Sequence, residues 1–364
     1  MRPDATRGAL AAEVPVYDVV IVGASFAGLA VANSLCGRRV LLIDRKPVGE
    51  ESTSACCSIL RAMTYWGLED AVLQTHDSLV LHTRRRAIRF GSPYPWCTFD
   101  YGLVCDILFR RSGADFMQAT ARGVVGDSVQ TDAGDVRGRC IVDASGWRAA
   151  LSGPPTRFRR RRMNYGVNMI CPMPVQAGLD RSALHFWYSR DVMSAAIAWV
   201  FPRGDTATIG MGSYRGPGAM RTPMERFSRG LGVAVNGLRG AYFPHALRQP
   251  SAGNVFVVGD AAGQCIGLTG EGVRPALYFG EACGRAIERV LSGELTLPEG
   301  LAEYAAFVAR KERFYRFFSR AQDVLTRVPA VCVDWLSLYT ASERMRARVL
   351  TRYWGLTREW GLPS

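Results

Sequence analysis

The sequence predicts an α/β protein in which a sheet of parallel βαβ units is interrupted by an inserted, mostly antiparallel sheet. Residues 17–35, "YDVVIVGASFAGLAVANSL", start as an apolar, β-branched run and take helical periodicity after a glycine-rich turn. Four β-type segments follow one another between Met163 and Tyr214, and "VFVVGDAAG" after Asn254 restores the buried-strand pattern. A chain of 364 residues that is 48% hydrophobic can bury a core of this size.

The first βαβ unit carries a dinucleotide-binding pattern. Its turn reads Gly23-x-Ser25-x-x-Gly28, and the second strand, "RRVLLIDRK", ends at Asp44. Gly23 permits the tight turn, Gly28 permits close packing of helix on strand, and the helix start offers free N–H groups to a pyrophosphate. Ser25 replaces the usual second glycine, and its small side chain still allows the backbone to approach a phosphate. Because Asp44 is placed to bond a ribose hydroxyl, the unit predicts a Rossmann-type site.

A second glycine-rich stretch, "GDAAGQCIGLTGEGVRPAL", occupies residues 259–277. The preceding strand puts Asp260 at the carboxyl end of the predicted sheet, where open α/β folds bind ligands. Gly267, Gly270 and Gly272 lie directly before a predicted helix. A carboxylate that bonds a polyol, followed by a helix start, suits the ribityl chain and the N1–C2=O edge of a flavin, which is negatively charged when reduced. The stretch therefore predicts a flavin site.

Three motifs, in chain order, resemble those of a known group of flavoproteins. "VGASFAG", "DASG" at residues 143–146, and "VVGDAAG" followed by "LTGEGVRPAL" are similar to the FAD-contacting motifs of the flavoproteins related to p-hydroxybenzoate hydroxylase. Among these, "GLTGEGVRPALYFG" together with "AWVFPRGDTATIGMG" most resembles the geranylgeranyl reductase family. The resemblance covers most of residues 17–295. It implies noncovalent FAD in a two-domain fold, with the substrate reaching the isoalloxazine ring from the antiparallel sheet.

The resemblance also implies further cofactor contacts and a source of electrons. Arg111, in "RRSGADF", matches the arginine of the family's R-x-x-F-D helix start, with Ala114 in place of the Phe, and would touch FAD. The electron donor is expected to be NAD(P)H or a ferredoxin-type protein. The complete set of predicted FAD-binding residues is Gly23, Ser25, Phe26, Ala27, Gly28, Asp44, Arg45, Arg111, Gly146, Gly259, Asp260, Gly267, Gly270, Glu271, Gly272 and Val273.

Aromatic residues of the inserted sheet predict an apolar substrate site. Reduction of a C=C bond by a flavin needs a hydride and a proton, so the protein must mainly exclude water and hold an apolar chain. Core packing is the alternative for any single aromatic residue, but as a group they suit a tunnel for a prenyl or other lipid-like substrate. The predicted substrate residues are Phe186, Trp187, Tyr188, Trp199 and Phe201.

Three cysteines are the predicted catalytic candidates. Cys56 and Cys57 lie in "KPVGEESTSACC", which resembles the family's Cys-bearing loop, and Cys265 lies in "GQCIGL" beside the predicted flavin. These cysteines can donate a proton or form a redox pair. The alternative is that they are buried in the core and take no part in the chemistry. The ten cysteines include no pair of CxxC units, so no metal site is predicted, and they are interpreted as reduced thiols of a cytoplasmic protein.

The charge pattern bears on possible partners. The net charge of +13 comes almost wholly from arginine, because Lys46 and Lys311 are the only lysines. A basic surface favours acidic ligands or anionic membranes, and the arginine-rich residues 157–162 are the candidate contact with an anionic lipid or a pyrophosphate. Peripheral membrane contact is thus an alternative to a purely cytoplasmic location, and no nucleic-acid partner is expected. Residues 19–37 are uncharged, but their glycines and strand-like start argue against a membrane span.

The predicted domains are discontinuous, because nucleotide-binding segments flank the inserted sheet. Residues 1–15 are expected to be a disordered leader. Residues 296–364 are expected to form a C-terminal helical segment. The FAD-binding domain is predicted to comprise residues 16–75, 101–155 and 250–295, and the substrate domain residues 76–100 and 156–249.

Three functions are compatible with these patterns. The leading prediction is an FAD-dependent reductase of C=C bonds in a prenyl or other lipid-like substrate. A flavin monooxygenase shares the fold and would insert oxygen; a halogenase is less favoured, because neither lysine is suitably placed and "IAWVFP" has one tryptophan of the WxWxIP segment. A flavin-binding electron-transfer protein without its own substrate chemistry is the third.

Overall fold

The structure is a computed structural model that describes residues 16–84, 86–153, 163–174, 177–188, 196–218, 220–244 and 246–327, with a few isolated positions beyond. The predicted leader, the arginine-rich residues 157–162 and most of residues 328–364 lie outside the described residues. The helices of the described ranges are α1 (Phe26–Asn33), α2 (Leu60–Tyr65), α3 (Tyr101–Ser112), α4 (Arg221–Gly230), α5 (Val273–Leu291), α6 (Leu297–Ala309) and α7 (Glu312–Leu325). None of the helices in these ranges has the length and apolarity that a membrane crossing requires.

The first sheet has a parallel centre. Its strands are β1 (Val16–Val22), β2 (Val40–Asp44), β6 (Asp115–Gln118), β7 (Ala121–Val125), β8 (Ser128–Thr131), β9 (Val136–Asp143), β15 (Ser251–Ala252) and β16 (Val255–Val257). Strands β16, β9, β1, β2 and β6 pair in parallel in that order, while β15 and the β7–β8 hairpin add antiparallel pairs at the margins. Val19, Val20 and Ile21 are fully buried, as expected for a strand covered on both faces.

Close contact between α1 and α5 covers one face of this sheet. A Cβ atom on Gly280 would lie 2.7 Å from the carbonyl oxygen of Ala27, and one on Gly284 would lie 2.5 Å from Cβ of Ser34. Only glycine therefore allows the two helices to approach so closely. Their packing holds the amino-terminal ends of both helices against the same sheet.

The second sheet is mostly antiparallel, as predicted. Its strands are β3 (Cys57–Ile59), β4 (Val72–His82), β5 (Ala87–Phe99), β10 (Met163–Pro172), β11 (Ala183–Trp187), β12 (Ala196–Arg203), β13 (Thr206–Ser213) and β14 (Arg239–Pro244). They follow the order β14-β10-β13-β12-β11-β4-β5-β3, and among the described strands of this second sheet only β11 and β4 pair in parallel. The predicted domain boundary between residues 75 and 76 lies inside β4. Strand β3, which precedes that boundary, also belongs to the second sheet, because β3 and β4 both pair with β5.

The two faces of the second sheet differ in their covering. Ala198 and Val200 of β12 and Ile209 and Met211 of β13 form a core with Met224 of α4. Alternation along the strands turns the neighbouring residues to the opposite side. We call this opposite side the inner face; its members include Phe186, Trp199, Phe201, Thr208 and Gly210, which the pairing register sets side by side.

Candidate active site

The motifs predicted to bind the cofactor meet at one edge of the first sheet. The register pairs Val22 with both Ile43 and Asp143, and Asp143 with Val257. The carboxyl ends of β1, β2, β9 and β16 are therefore adjacent, although they are far apart in the sequence. This edge is where open α/β folds bind their ligands.

The glycine-rich turn after β1 has a backbone that only glycine permits. Gly23 has φ +112°, and a Cβ atom there would overlap the carbonyl oxygen of Ala144; a Cβ atom on Gly28 would overlap the carbonyl oxygen of Gly23. Ser25 is the N-cap residue of α1 but makes no capping hydrogen bond with its side chain. The first N–H groups of α1, starting at Phe26, thus keep their capacity to bind a pyrophosphate.

Asp44 is held in place by the same turn. Its Oδ2 accepts a hydrogen bond of 2.9 Å from the backbone N–H of Ala24, and its Oδ1 accepts one of 3.3 Å from that of Lys46. A carboxylate has about four acceptor positions, so Asp44 can still accept hydrogen bonds from ribose hydroxyls. The neighbouring Arg45 is exposed and lies 3.9 Å from Glu51.

The buried side chain of Asp143 stabilises the loop that follows β9 at this edge of the first sheet. Its fully buried carboxylate accepts hydrogen bonds from the backbone and hydroxyl of Ser145, from the backbone and hydroxyl of Ser152, and from the backbone of Leu151. These bonds fold the chain back after β9 and set Gly146 at φ +75°. The "DASG" motif therefore acts here as a structural anchor for the turn that contains Gly146.

Tyr101 is a member of the site that the sequence analysis missed. Helix α3 begins there, because Asp100 caps it by accepting a 2.8 Å hydrogen bond from the N–H of Leu103. The Tyr101 hydroxyl lies 3.0 Å from Oγ of Ser25, and its ring meets the edge of Phe26 at 5.3 Å. The signal for this placement is the Asp100 cap, which marks the helix start in the sequence.

Arg111 is not at the helix start, and this expectation is wrong. It lies in the last turn of α3, where Nη1 donates to the carbonyl of Trp66 at 2.7 Å and Nη2 to that of Gly67 at 2.9 Å. Its own carbonyl lies 4.0 Å from Sγ of Cys36, beyond the carboxyl-terminal end of α1. The structure therefore separates Arg111 from the glycine-rich turn by the length of α1.

Asp260 lies three residues after the end of β16, in the turn at the carboxyl end of that strand. Burial raises the pKa of its carboxyl to about 6, and the positive charge of Arg248 opposes this rise only partly. Gly259, at φ +68°, donates its N–H to Oε1 of Gln264 at 2.7 Å, which fixes the turn that carries Asp260. A carboxylate in such a place can accept hydrogen bonds from a polyol chain.

The segment before α5 forms a tight loop that exposes a helix start. Ile266 and Glu271 form a backbone bridge, and Gly270 turns between them at φ +67°. The Glu271 side chain pairs with Arg274, which is fully buried. Gly272 precedes α5 and provides no side-chain cap, so the amino terminus of a 19-residue helix is available to the negative edge of a flavin.

The second sheet contacts this loop through two polar side chains. Asn164 of β10 donates to the carbonyl of Gly267 at 2.9 Å, and the hydroxyl of Tyr214, just after β13, donates to that of Leu268 at 2.9 Å. Asn168 donates to the carbonyl of Thr53 at 3.0 Å, which ties the loop preceding Cys56 to the inner face. The inner face thus extends from the flavin-type loop toward the cysteine-bearing loop.

Trp199 dominates the inner face. A Cβ atom on Gly210 would overlap the indole ring, and one on Gly212 would lie 3.4 Å from it, so the ring lies flat across these two glycines. Phe201 stacks on Trp199 with ring centroids 6.0 Å apart and meets the edge of Phe186 at 5.1 Å. Three of the predicted substrate residues therefore form one apolar surface, and the glycines of "TIGMG" make room for it.

Trp187 does not share this surface, contrary to expectation. It stacks on His82 with ring centroids 4.3 Å apart and packs against Phe227 of α4 at 5.1 Å, on the opposite side of the sheet. Strand alternation is the reason, since Trp187 directly follows Phe186. The backbone N–H of Tyr188 donates to the carbonyl of His82 at 3.0 Å. Burial raises the pKa of Tyr214, and the nearby side chain of Tyr188 raises it further.

Two of the three cysteine candidates, Cys57 and Cys265, are neutral thiols near Glu271. Burial raises the pKa of Cys57 and of Cys265 well above the usual value for a thiol, and the negative charge of Glu271 adds to the effect at both. Cys56 is buried at φ +54°, with Sγ 3.8 Å from Oγ of Ser52. All the described cysteines are free thiols, and the described residues contain no cluster of metal-binding side chains.

Sequence comparison identifies distant relatives. No family model matches the chain. The chain is 28% identical over 149 residues to a digeranylgeranylglycerophospholipid reductase of Methanocaldococcus jannaschii, which covers 38% of this chain and only 37% of the relative. It is 24% identical over 367 residues to digeranylgeranylglycerophospholipid reductase 1 of Methanopyrus kandleri, covering 90% of this chain and 96% of the relative. The predicted resemblance to geranylgeranyl reductases is therefore confirmed at low identity.

Comparison with solved structures confirms the predicted fold. A geranylgeranyl bacteriochlorophyll reductase-like protein from Thermoplasma acidophilum superposes with a TM-score of 0.82 at 16% identity, covering 95% of this chain and 96% of that one. PqsL, a probable FAD-dependent monooxygenase from Pseudomonas aeruginosa, superposes with a TM-score of 0.65 at 15% identity, covering 93% and 100%. The chain therefore has the two-sheet fold that such FAD-dependent reductases and monooxygenases share.

Proposed function

We propose that this enzyme, which has the fold of FAD-dependent oxidoreductases, reduces C=C bonds in a prenyl or other lipid-like chain. The observation that carries the proposal is the inner face, where Trp199, Phe201 and Phe186 form an apolar surface that extends toward the loop before α5. Relatives named digeranylgeranylglycerophospholipid reductase support this substrate class.

The residues of the sheet edge fit FAD. The backbone at Gly23 and Gly28 excludes a Cβ atom and leaves room for a pyrophosphate beside α1. We assign Asp44 to the ribose, Asp260 to the ribityl chain, and the start of α5 to the flavin ring. When bound, reduced FAD supplies the hydride for the reduction.

The chain itself must supply the proton and exclude water. The thiols of Cys57 and Cys265 are protonated at neutral pH, because burial raises the pKa of both. We propose that one of them holds the proton that the second carbon of the double bond receives. Trp199 and Phe201 would keep the alkene in an apolar environment and exclude bulk water. A thiol that stays protonated favours proton donation over attack as a thiolate.

The electrons are proposed to come from NAD(P)H or a ferredoxin-type protein. A cytoplasmic location is supported by the free thiols, since a reducing compartment keeps cysteines in this state. Steady-state assays with NADH, NADPH and a reduced ferredoxin would identify the donor, because only the true donor reduces the enzyme at a rate that supports turnover.

Helix α7 supports peripheral contact with an anionic membrane. Its buried side reaches the site, since the Tyr315 hydroxyl donates to the carbonyl of Gln264. Its outer side combines positive charges with two apolar residues, Phe317 at 61% and Val324 at 58% exposure. Basic and apolar side chains on one helix face favour an interfacial position on anionic lipid. The exposed arginines of this side are Arg313, Arg316 and Arg320.

An anaerobic half-reaction tests the proposed function. The purified enzyme would be reduced under argon, mixed with geranylgeraniol, and followed by the return of the oxidised flavin spectrum and by product mass. Reoxidation with a product two hydrogens heavier is expected. Strict dependence on oxygen with an added hydroxyl group would instead favour a monooxygenase, the alternative that the PqsL-like fold supports. A flavin that no donor bleaches would favour an electron-transfer or binding role without substrate chemistry.

A further inference from the structure

Two fully buried amides connect the second sheet to α7. They are the side chains of Asn164 in β10 and Gln322 in α7. Nδ2 of Asn164 donates to Oε1 of Gln322 at 3.2 Å, and Nε2 of Gln322 donates to Oδ1 of Asn164 at 2.8 Å. Nδ2 of Asn164 also donates to the carbonyl of Gly267 at 2.9 Å. We call these two residues the amide pair; it joins α7 to the loop before α5.

The carbonyl of Gly267 decides the orientation of both amides. A carbonyl oxygen can only accept a hydrogen bond, so Asn164 must present Nδ2 to Gly267. Oδ1 of Asn164 then faces Gln322, whose Nε2 supplies the donor that this oxygen needs. The flipped amide of Asn164 would place a buried oxygen beside a carbonyl oxygen, which is unfavourable. Gln322 therefore selects the orientation of Asn164 that holds Gly267.

Two further contacts hold α7 against the same region. The hydroxyl of Tyr315 donates to the carbonyl of Gln264, in the turn that precedes the loop. Arg215, just after β13, donates from Nη2 to the carbonyl of Thr326 at 2.7 Å, at the carboxyl end of α7. The contact of Arg215 fixes the helix without involving the amide pair. Docking of α7 and positioning of the loop can therefore be separated by substitution.

Two anchored carbonyls orient the N–H groups of the loop. Asn164 holds the carbonyl of Gly267, and the hydroxyl of Tyr214 donates to that of Leu268 at 2.9 Å. In a planar trans peptide the C=O group and the following N–H group point in opposite directions. The N–H groups of Leu268 and Thr269 are therefore turned away from Asn164 and from the Tyr214 hydroxyl. The direction of these donors is set by side chains outside the loop.

We propose that Asn164 and Gln322 are positioning residues for the flavin ring: Gln322 orients Asn164, and Asn164 holds the loop so that its N–H groups and the start of α5 face the N1–C2=O edge. This inference rests on the proposed function, which puts the flavin at the start of α5. Donors fixed toward this edge stabilise the reduced flavin more than the oxidised one, because reduction puts negative charge there. Helix α7 thus raises the reduction potential of the cofactor through Asn164.

The two-electron reduction potential of bound FAD tests the proposal without requiring substrate turnover. It would be measured under argon against a reference dye in the wild type, Asn164→Leu, Gln322→Met and the double variant. Asn164→Leu should weaken the binding of reduced relative to oxidised FAD about tenfold, which lowers the potential by about 30 mV. Gln322→Met should lower it by a smaller amount. The double variant should match Asn164→Leu, because Gln322 acts through Asn164.

Arg215→Gln is the matched control. It removes the contact with Thr326 and loosens α7 while the amide pair stays intact, so its potential should equal that of the wild type. Gln322→Glu keeps an acceptor for Nδ2 of Asn164, so its shift should be smaller than that of Gln322→Met. It replaces Gln322→Met if that variant does not retain FAD. The FAD content and melting temperature of each variant identify misfolding.

The possible outcomes separate this proposal from the proposed function. Unchanged potentials in Asn164→Leu and Gln322→Met, or an equal shift in Arg215→Gln, would assign the amide pair to helix docking alone and overturn the proposal. Additive shifts in the double variant would also overturn it, since Gln322 would then not act through Asn164. Shifted potentials in an enzyme whose reduced flavin geranylgeraniol does not reoxidise would uphold the amide pair and refute the reductase function. A wild type that binds no FAD would refute both.

Discussion

The hydroxyl groups of Ser25 and Tyr101 lie 3.0 Å apart, which connects the glycine-rich turn to the start of α3. Ser25 occupies the position of the second glycine in the usual dinucleotide motif, and Tyr101 is the first residue of α3. The pair thus joins the glycine-rich turn, where we propose that a pyrophosphate binds, to the first residue of α3. A hydroxyl pair in this position can both orient the turn and donate a hydrogen bond to a phosphate oxygen.

Replacing Tyr101 by Phe should weaken FAD binding. Loss of one hydrogen bond between neutral groups costs about 0.5–1.5 kcal/mol, so the dissociation constant should rise about two- to tenfold. Titration of the apoprotein with FAD, followed by quenching of flavin fluorescence, measures this. Tyr65→Phe, at a tyrosine that is 43% exposed, is the control. An unchanged FAD affinity in Tyr101→Phe would mean that the hydroxyl pair of Ser25 and Tyr101 does not contribute to FAD binding.

Substitution of Gly23 or Gly28 by Ala should abolish FAD binding. In both cases the new Cβ atom would overlap a backbone carbonyl oxygen of the turn. The wild type should be yellow and release FAD, not FMN, on denaturation. Absorbance at the flavin band and chromatography of the released cofactor are the measurements. Gly91→Ala, where a Cβ atom meets nothing within 4 Å, should stay yellow. A colourless wild type that cannot be reconstituted with FAD would contradict the assignment.

Asp260 should make the stability of the apoprotein depend on pH. Its folded-state pKa is raised to about 6 from an unfolded value of 3.8, so the unfolded state loses this proton first. The contribution of Asp260 to stability is therefore full below pH 3.8 and falls as the pH rises to 6, by at most about 3 kcal/mol. Asp260→Asn should stabilise the apoprotein more at pH 8 than at pH 4. Urea unfolding of the wild type and of Asp260→Asn at pH 4 and pH 8 measures the change in the free energy of unfolding. An equal change at both pH values would mean that the pKa of Asp260 is not raised in the folded protein.

A larger side chain at Gly210 should block the substrate without removing FAD. Val at this position would displace the Trp199 indole, which now lies flat against the glycine. We expect the rate of flavin reoxidation by geranylgeraniol to fall about tenfold or more, equivalent to roughly 1.4 kcal/mol in the barrier. Trp199→Ala should affect the same step. Normal reoxidation in Gly210→Val would place the substrate elsewhere.

Serine variants of Cys57 and Cys265 test the proposed proton donor. If one of these thiols holds the proton, its variant should keep FAD and lose at least about tenfold in turnover. Cys36→Ser, at an exposed cysteine beyond the end of α1, is the control. The solvent isotope effect on turnover should also change in the affected variant. Full activity in both variants would assign the two cysteines to core packing.

Several parts of the site could be predicted because their signals are local. The turn of Gly23 and Gly28 needs a backbone that glycine alone adopts, and the acid at Asp44 follows directly from the end of a buried strand. The start of α3 can also be predicted from the sequence, since Asp is a common N-cap residue and Asp100 precedes the helix. The placement of Arg111 at a helix start is wrong because the Asp100 cap starts α3 at Tyr101, which puts Arg111 in the last turn.

The sequence by itself determined the parallel sheet with its glycine turns, the antiparallel insertion and the chemical type of the cofactor, because strand periodicity and glycine geometry act over a few residues. Only the tertiary structure decided which aromatic residues face the site, since alternation puts Phe186 and Trp187 on opposite sides but packing against α4 selects between them. The hydrogen-bonded pair of Asn164 and Gln322 also emerges only in the fold. Burial and hydrogen-bond satisfaction depend on segments distant in sequence, and no local pattern encodes them.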